Sequence, residues 1–181
     1  KKSDAYKILI GKGLSRIAVK IAAQTLKKAV RFDFTDISVP LLKGLTKHYS
    51  YIEVDPRNYK KYLGWYREQK AIFDAENELE ELLWEITFQN SNKKRFSRAE
   101  LNSFKNMKDR AIYLREKAKS YRTVLYCGNI CSYYFQLNNE VGAFIQVCRD
   151  SIDYFAGFPK APAAGRFSFL FKLIPAYIKT G

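Results

Sequence analysis

Apolar side chains return at alternating steps of three and four residues through most of the span from Asp55 to Tyr126, the longest such run in the chain. One row is Phe104, Met107, Ala111, Leu114, Ala118, Tyr121 and Leu125. Another is Ile72, Ala75, Leu79, Leu82 and Ile86, continued less regularly by Tyr59, Tyr62, Leu63 and Tyr66. This period is helical and places each row on one face. A polar, basic break separates the rows, Ser91-Asn92-Lys93-Lys94-Arg95-Phe96-Ser97. The pattern therefore predicts a long antiparallel helical hairpin over 55–127 with the basic break at its tip.

Start signals agree with that reading. Asp55-Pro56 places an N-cap acceptor before a proline at the first helical position, where the missing N–H costs nothing. Ser97-Arg98-Ala99-Glu100 has the capping-box spacing, serine and glutamate each covering an unpaired amide. Glu76, Glu78, Glu80, Glu81 and Glu85 would run beside Arg98, Lys105, Lys108 and Arg110. Their attraction favours the register more than it adds stability.

On the N-terminal side, Tyr6 to about Val30 reads as an amphipathic helix interrupted or delayed by Gly11 and Gly13, with Leu14, Ile17, Ala18, Ile21, Ala22, Leu26 and Val30 as its apolar stripe. Residues 32–54 read as a connector. The run from Arg31 to Pro40 and Tyr51-Ile52-Glu53-Val54 alternate like short extended runs, and a short helix is expected from Pro40 to about His48, loosened at Gly44. On the C-terminal side, Thr123 to Cys148 holds no Lys or Arg and only Glu140 as an acid, which predicts buried helices over 128–158 hinged near Asn138-Asn139. The second of these helices would present Val141, Phe144, Ile145, Cys148, Ile152 and Phe155 on one face and stop at Gly157 and Pro159. Polar interruptions make this stretch too short for a membrane span. Residues 159–181 read as a linker and a strongly apolar tail, Phe167 to Ile178, also too short to span. Left uncovered that tail would be adhesive, so it is expected to close the core or meet other protein subunits. The fold class expected is all-α, a helical bundle organised on the hairpin, with short extended connectors in one domain overall.

Length and composition narrow this further. At 181 residues and 47% hydrophobic, the chain can bury a proper core, which excludes general disorder. The net charge of +14 points to an anionic partner, and it is unevenly placed. Residues 1–31 carry nine basic side chains against Asp4, and residues 92–127 carry eleven against three acids, whereas 32–91 are net acidic. The anion-contacting candidates are therefore Lys93, Lys94, Arg95 and Arg98 at the tip and Lys12, Arg16, Lys20, Lys27, Lys28 and Arg31 in the first helix. Phe96 is placed to stack on a base.

Candidate chemistry is sparse. His48, the single histidine, sits between Lys47 and Tyr49 and reads as a surface or capping residue. Cys127, Cys131 and Cys148 with His48 match no zinc spacing, and the cysteines read as small buried hydrophobes. The acidic run from Asp74 lacks the Glu-x-x-His partner of a di-metal site, and Gly11-Lys12-Gly13 lacks the context of a phosphate loop. No catalytic residue, metal, cofactor or small-molecule substrate is assigned. Three cysteines do not make a disulfide framework, so a reducing compartment or the inside of a large assembly is expected. The first residue is not methionine, consistent with a fragment or processed product, and no signal peptide pattern is present. The function expected is a non-enzymatic binding or scaffolding subunit on nucleic acid or another polyanion. The alternatives are a membrane-surface protein anchored by the first helix and the aromatic tail, and an enzyme whose site the sequence does not reveal.

Overall fold

A computed structural model describes residues 8–9, 11–92, 95–157 and 163–180. Among them the chain is all-α: α1 (Ser15–Arg31), α2 (Thr35–Lys47), a π-helical turn (His48–Ile52), α3 (Pro56–Asn92), α4 (Arg98–Lys117), α5 (Tyr121–Leu137), α6 (Val141–Ala156) and α7 (Ala163–Thr180). They group into two compact units, the first ending at Asp74 and the second beginning at Ala75, where length alone suggested one.

The first unit holds α1, α2, the π turn and the opening half of α3. Gly13, at φ 72°, takes the left-handed turn that leads into α1. Ala22 and Leu26 of α1, Leu41, Leu42 and Leu45 of α2, and Tyr62 of α3 form its core. The connector expected over 32–54 is helical instead, and no strand occurs among the described residues. Thr35, Ser38, Leu42 and Leu45 are all buried at helical spacing, but two are polar, which hid the stripe. Ser38 is satisfied by donating to Gln69 Oε1 at 2.8 Å. The helix carries Pro40 in its interior despite the lost amide donor, its leucines supplying the burial that offsets it. The run 51–54 is the end of the π turn, with Tyr51, Ile52 and Val54 exposed. The cap at Asp55 forms as expected, its Oδ1 accepting from the amides of Arg57 at 2.9 Å and Asn58 at 3.1 Å.

In the second unit the closest helix packing runs between successive elements, α4 with α5, α5 with α6 and α6 with α7. The long hairpin is therefore not what organises it. Its helices do touch: Arg110 makes a two-pronged contact with Glu78, and Ile86 shares a cluster with Phe104 and Met107. The second arm is shorter than the periodicity implied. The Ser97 capping box forms, but α4 ends at Lys117 and Ala118 is extended at φ −140°, ψ 95°. Ser120 then opens α5 with a second capping box that uses Thr123 in place of Glu or Gln. The apolar steps continue through Ala118 into Tyr121 and Leu125, so periodicity alone does not show the break.

The hinge expected at Asn138-Asn139 is present, Asn138 capping α5 and Asn139 standing at φ 57°. Phe144, Cys148 and Phe155 of α6 join Val124, Phe169, Leu173 and Ala176 in one core cluster of this unit. A Cβ on Gly128 would lie 2.6 Å from Ser151 Oγ and 2.8 Å from Phe169 Cζ, so glycine is what allows these side chains so near α5. Part of the stretch taken for a linker belongs to α7, which begins at Ala163; residues 158–162 lie outside the described residues. One side of α7 closes the core, and Phe167, Phe171, Ile174 and Ile178 stay exposed on the other.

Candidate anion-binding surfaces

The basic residues of α1 are arranged by the helix itself. At about 100° per residue, Arg16, Lys20, Lys27 and Arg31 fall within about 60° of one another and spread over about 22 Å. All four are exposed, and the buried Ala18, Ala22, Leu26 and Ala29 lie on the opposite side. Lys28 is exposed beside the row, and Lys12 is exposed in the turn that precedes it. No acid occurs anywhere in α1. Two members of the expected apolar stripe are not buried: Leu14 is 44% and Ile17 52% exposed. The core contacts α1 through a narrow band of small residues, and this band does not reach round to Ile17. At the C-terminal end, Arg31 sits over the Phe32 ring at 5.9 Å, and Phe32 stacks on Phe34 with centroids 6.0 Å apart.

The second basic region belongs to the other unit. Arg95 and Arg98 are exposed, while Lys93 and Lys94 lie outside the described residues. Phe96 is not offered to a base. It is half-buried, set edge-on against Phe104 at 5.2 Å, and packed on the Ile86 cluster. Of the basic residues expected to face the acidic run, Arg110 pairs with Glu78, whereas Lys108 lies 3.0 Å from Asp109 and 4.9 Å from the centre of the Tyr134 ring.

Three buried or half-buried polar features escaped sequence reasoning. Glu76 is buried and accepts from Ser120 Oγ at 2.6 Å, with Arg122 Nη1 3.9 Å away. The acidic run is thus not wholly a solvated face. His48 is buried rather than at the surface; its Nε2 lies 3.1 Å from Glu53 Oε2, and its Nδ1 has no partner. Lys172 is tucked between α5 and α7, donating to Asn129 Oδ1 at 2.7 Å and Ser132 Oγ at 2.6 Å, with the Tyr133 ring 4.9 Å away. Burial pushes its amine down to about 8. A single charge in an apolar run was the available signal for Lys172; for Glu76, inside the acidic run, and for His48 there was none.

Cys127, Cys131 and Cys148 are free and buried, as expected. The first two lie one turn apart on α5 with their sulfurs 3.9 Å from each other. A hydrogen bond from the Cys131 thiol holds Cys127 below the usual thiol range, and the same contact, together with burial, pushes Cys131 up. Among the described residues no three or more His, Cys, Asp or Glu side chains gather as a metal site, and no helix is long and apolar enough to cross a membrane. No protein-family model matches the chain, and no match was found among curated proteins or solved structures.

Proposed function

We propose that the protein is a non-enzymatic binding or scaffolding subunit that lies along a polyanion, nucleic acid first, through the basic face of α1. The observation that carries this reading is the exposed row Arg16, Lys20, Lys27 and Arg31 on an acid-free helix, diametrically opposite its buried face. Phosphates on one strand recur about every 3.4 Å, so a row about 22 Å long meets several of them. Phe34, beside Arg31 and Phe32, is partly exposed and would offer aromatic surface to an unstacked base. Lys93, Lys94, Arg95 and Arg98 supply a second basic region. Contacts of this kind orient a chain on a backbone without reading sequence. The exposed side of α7 would serve other protein subunits of the same assembly.

Binding of a labelled single-stranded oligonucleotide, followed by fluorescence anisotropy across a salt series, tests the reading. Micromolar affinity that falls steeply with salt is expected. The variant Arg16→Gln/Lys20→Gln/Lys27→Gln/Arg31→Gln is expected to lose most of it, with the log–log salt slope reduced by about 3. Absence of binding at low salt, indifference to salt, or an unchanged quadruple variant would overturn it.

A second reading, attachment to an anionic lipid surface, is favoured by one observation: Leu14 and Ile17 are exposed along the edge of the basic row. Flotation with anionic vesicles that is lost in Leu14→Ser/Ile17→Ser, in a protein that ignores oligonucleotides, would establish that reading in place of the first.

A further inference from the structure

Cys127 and Cys131 stand four residues apart on α5, so both thiols project from one face of one helix. Their sulfurs are 3.9 Å apart. They line a cleft of about 530 Å³ whose walls come from α4, α5 and α6, including Ile112, Arg115, Val147 and Ser151. A direct disulfide suits this placement poorly. Cβ atoms four apart on a helix are about 5–6 Å from each other, whereas a disulfide needs about 3.5–4.5 Å. An atom placed between the sulfurs suits it well. Two metal–sulfur bonds of about 2.3 Å in a near-linear arrangement need sulfurs about 4.6 Å apart, which small side-chain rotations from the present 3.9 Å supply without unwinding the helix.

We infer that the Cys127–Cys131 pair is a two-sulfur site for a soft monovalent metal ion of the Cu(I) class, entered through the α4–α5–α6 cleft. Ligand number decides the metal. Structural zinc and iron–sulfur clusters require four donors, and no third His, Cys, Asp or Glu joins this pair among the described residues. Thiolates select Cu(I) among ions that accept fewer ligands. On binding, both S–H protons leave to solvent and two metal–sulfur bonds form, giving a bis-thiolate complex of single negative charge. Arg115 and Lys119 on the cleft wall attract that charge, against Glu116 and Asp150 on the same wall. The inference does not depend on how α1 is used.

Titration of the reduced full chain with Cu(I) against a chromogenic chelator, with X-ray absorption on the product, tests it. One Cu(I) per chain is expected to outcompete the chelator, with two sulfur neighbours at the metal. Cys127→Ala/Cys131→Ala is expected to lose that binding while keeping its helical circular dichroism, and Cys148→Ala to retain it. Should the double variant fail to fold, the sulfur count of the wild-type and Cys148→Ala complexes decides the matter. Failure of the wild type to outcompete the chelator, a metal with fewer than two sulfur neighbours, retained binding in the folded double variant, or loss in folded Cys148→Ala would each overturn it.

Discussion

The Ser120 hydroxyl does two jobs at once: it donates to the buried Glu76 carboxylate at 2.6 Å and accepts from the Thr123 amide at 3.2 Å. A hydroxyl has one proton and two lone pairs, so the two bonds are compatible. The cap that starts α5 is thereby tied to α3, and a polar contact fixes where α4 must stop.

Removing the carboxylate strands that hydroxyl and takes the nearest acid from Arg122. Glu76→Ala is expected to destabilise the protein by about 2–3 kcal/mol in urea unfolding. Glu76→Gln keeps an acceptor for Ser120 and is expected to cost clearly less. In a double-mutant cycle, Ser120→Ala should couple to Glu76→Ala; additive losses would show that the two residues act independently.

The half-buried Lys172 amine has its proton affinity lowered in the folded protein, from 10.5 to about 8. Burial is the cause, and the charge interaction with Cys148 opposes it. Between those values the unfolded chain binds the proton more tightly than the folded one. Stability from this group therefore rises with pH from about 8 toward 10.5, and its cost of about 3 kcal/mol is fully present below about 8. Lys172→Met should remove that slope. The difference between wild-type and variant stability, measured from pH 7 to 10, isolates it from the tyrosines; a constant difference would contradict the assignment.

Two glycines in helix interiors should respond with opposite signs. A Cβ on Gly64 meets nothing within 4 Å, so Gly64→Ala is expected to stabilise by about 0.5–1 kcal/mol through reduced unfolded-state entropy. On Gly128 the same atom runs into Ser151 and Phe169, and Gly128→Ala is expected to cost about 1–3 kcal/mol. Thermal melts of both variants check the pair.

The Arg110–Glu78 bridge is well formed, yet both side chains are substantially exposed. Its coupling energy, from Glu78→Gln, Arg110→Gln and the double variant, is expected to stay below about 1 kcal/mol and to shrink with added salt. A larger, salt-resistant value would mean that charge pairing holds α4 against α3.

Local chemistry made much of the fold legible. Asp55-Pro56 and the Ser97 box mark helix starts because a side chain a few residues away satisfies each unpaired amide. The Asn138-Asn139 hinge and the uncharged stretch around it follow likewise from short-range turn chemistry and burial. Local rules misled where a long-range partner compensated for an unfavourable residue. Thr35 and Ser38 look like surface positions until Gln69 and the leucine core are in place, and Pro40 looks like a helix start until the packing around it is known.

Of the candidate surfaces, the row on α1 was readable because a helix of known period converts residue spacing directly into one face. Phe96 was misassigned because an aromatic beside a basic loop carries no sign of whether a neighbouring helix covers it. The sequence by itself determined that this protein is helical, where α3, α4 and α6 begin, and that its positive charge gathers in two regions, since capping, period and charge act within a few residues. Only the tertiary structure decided that α4 stops at Lys117, that Glu76 and His48 are buried and Lys172 half-buried, and that the cysteine pair on α5 lines a cleft. Those outcomes depend on which side chains from distant segments meet and satisfy one another, and that information is absent from any single window of the chain.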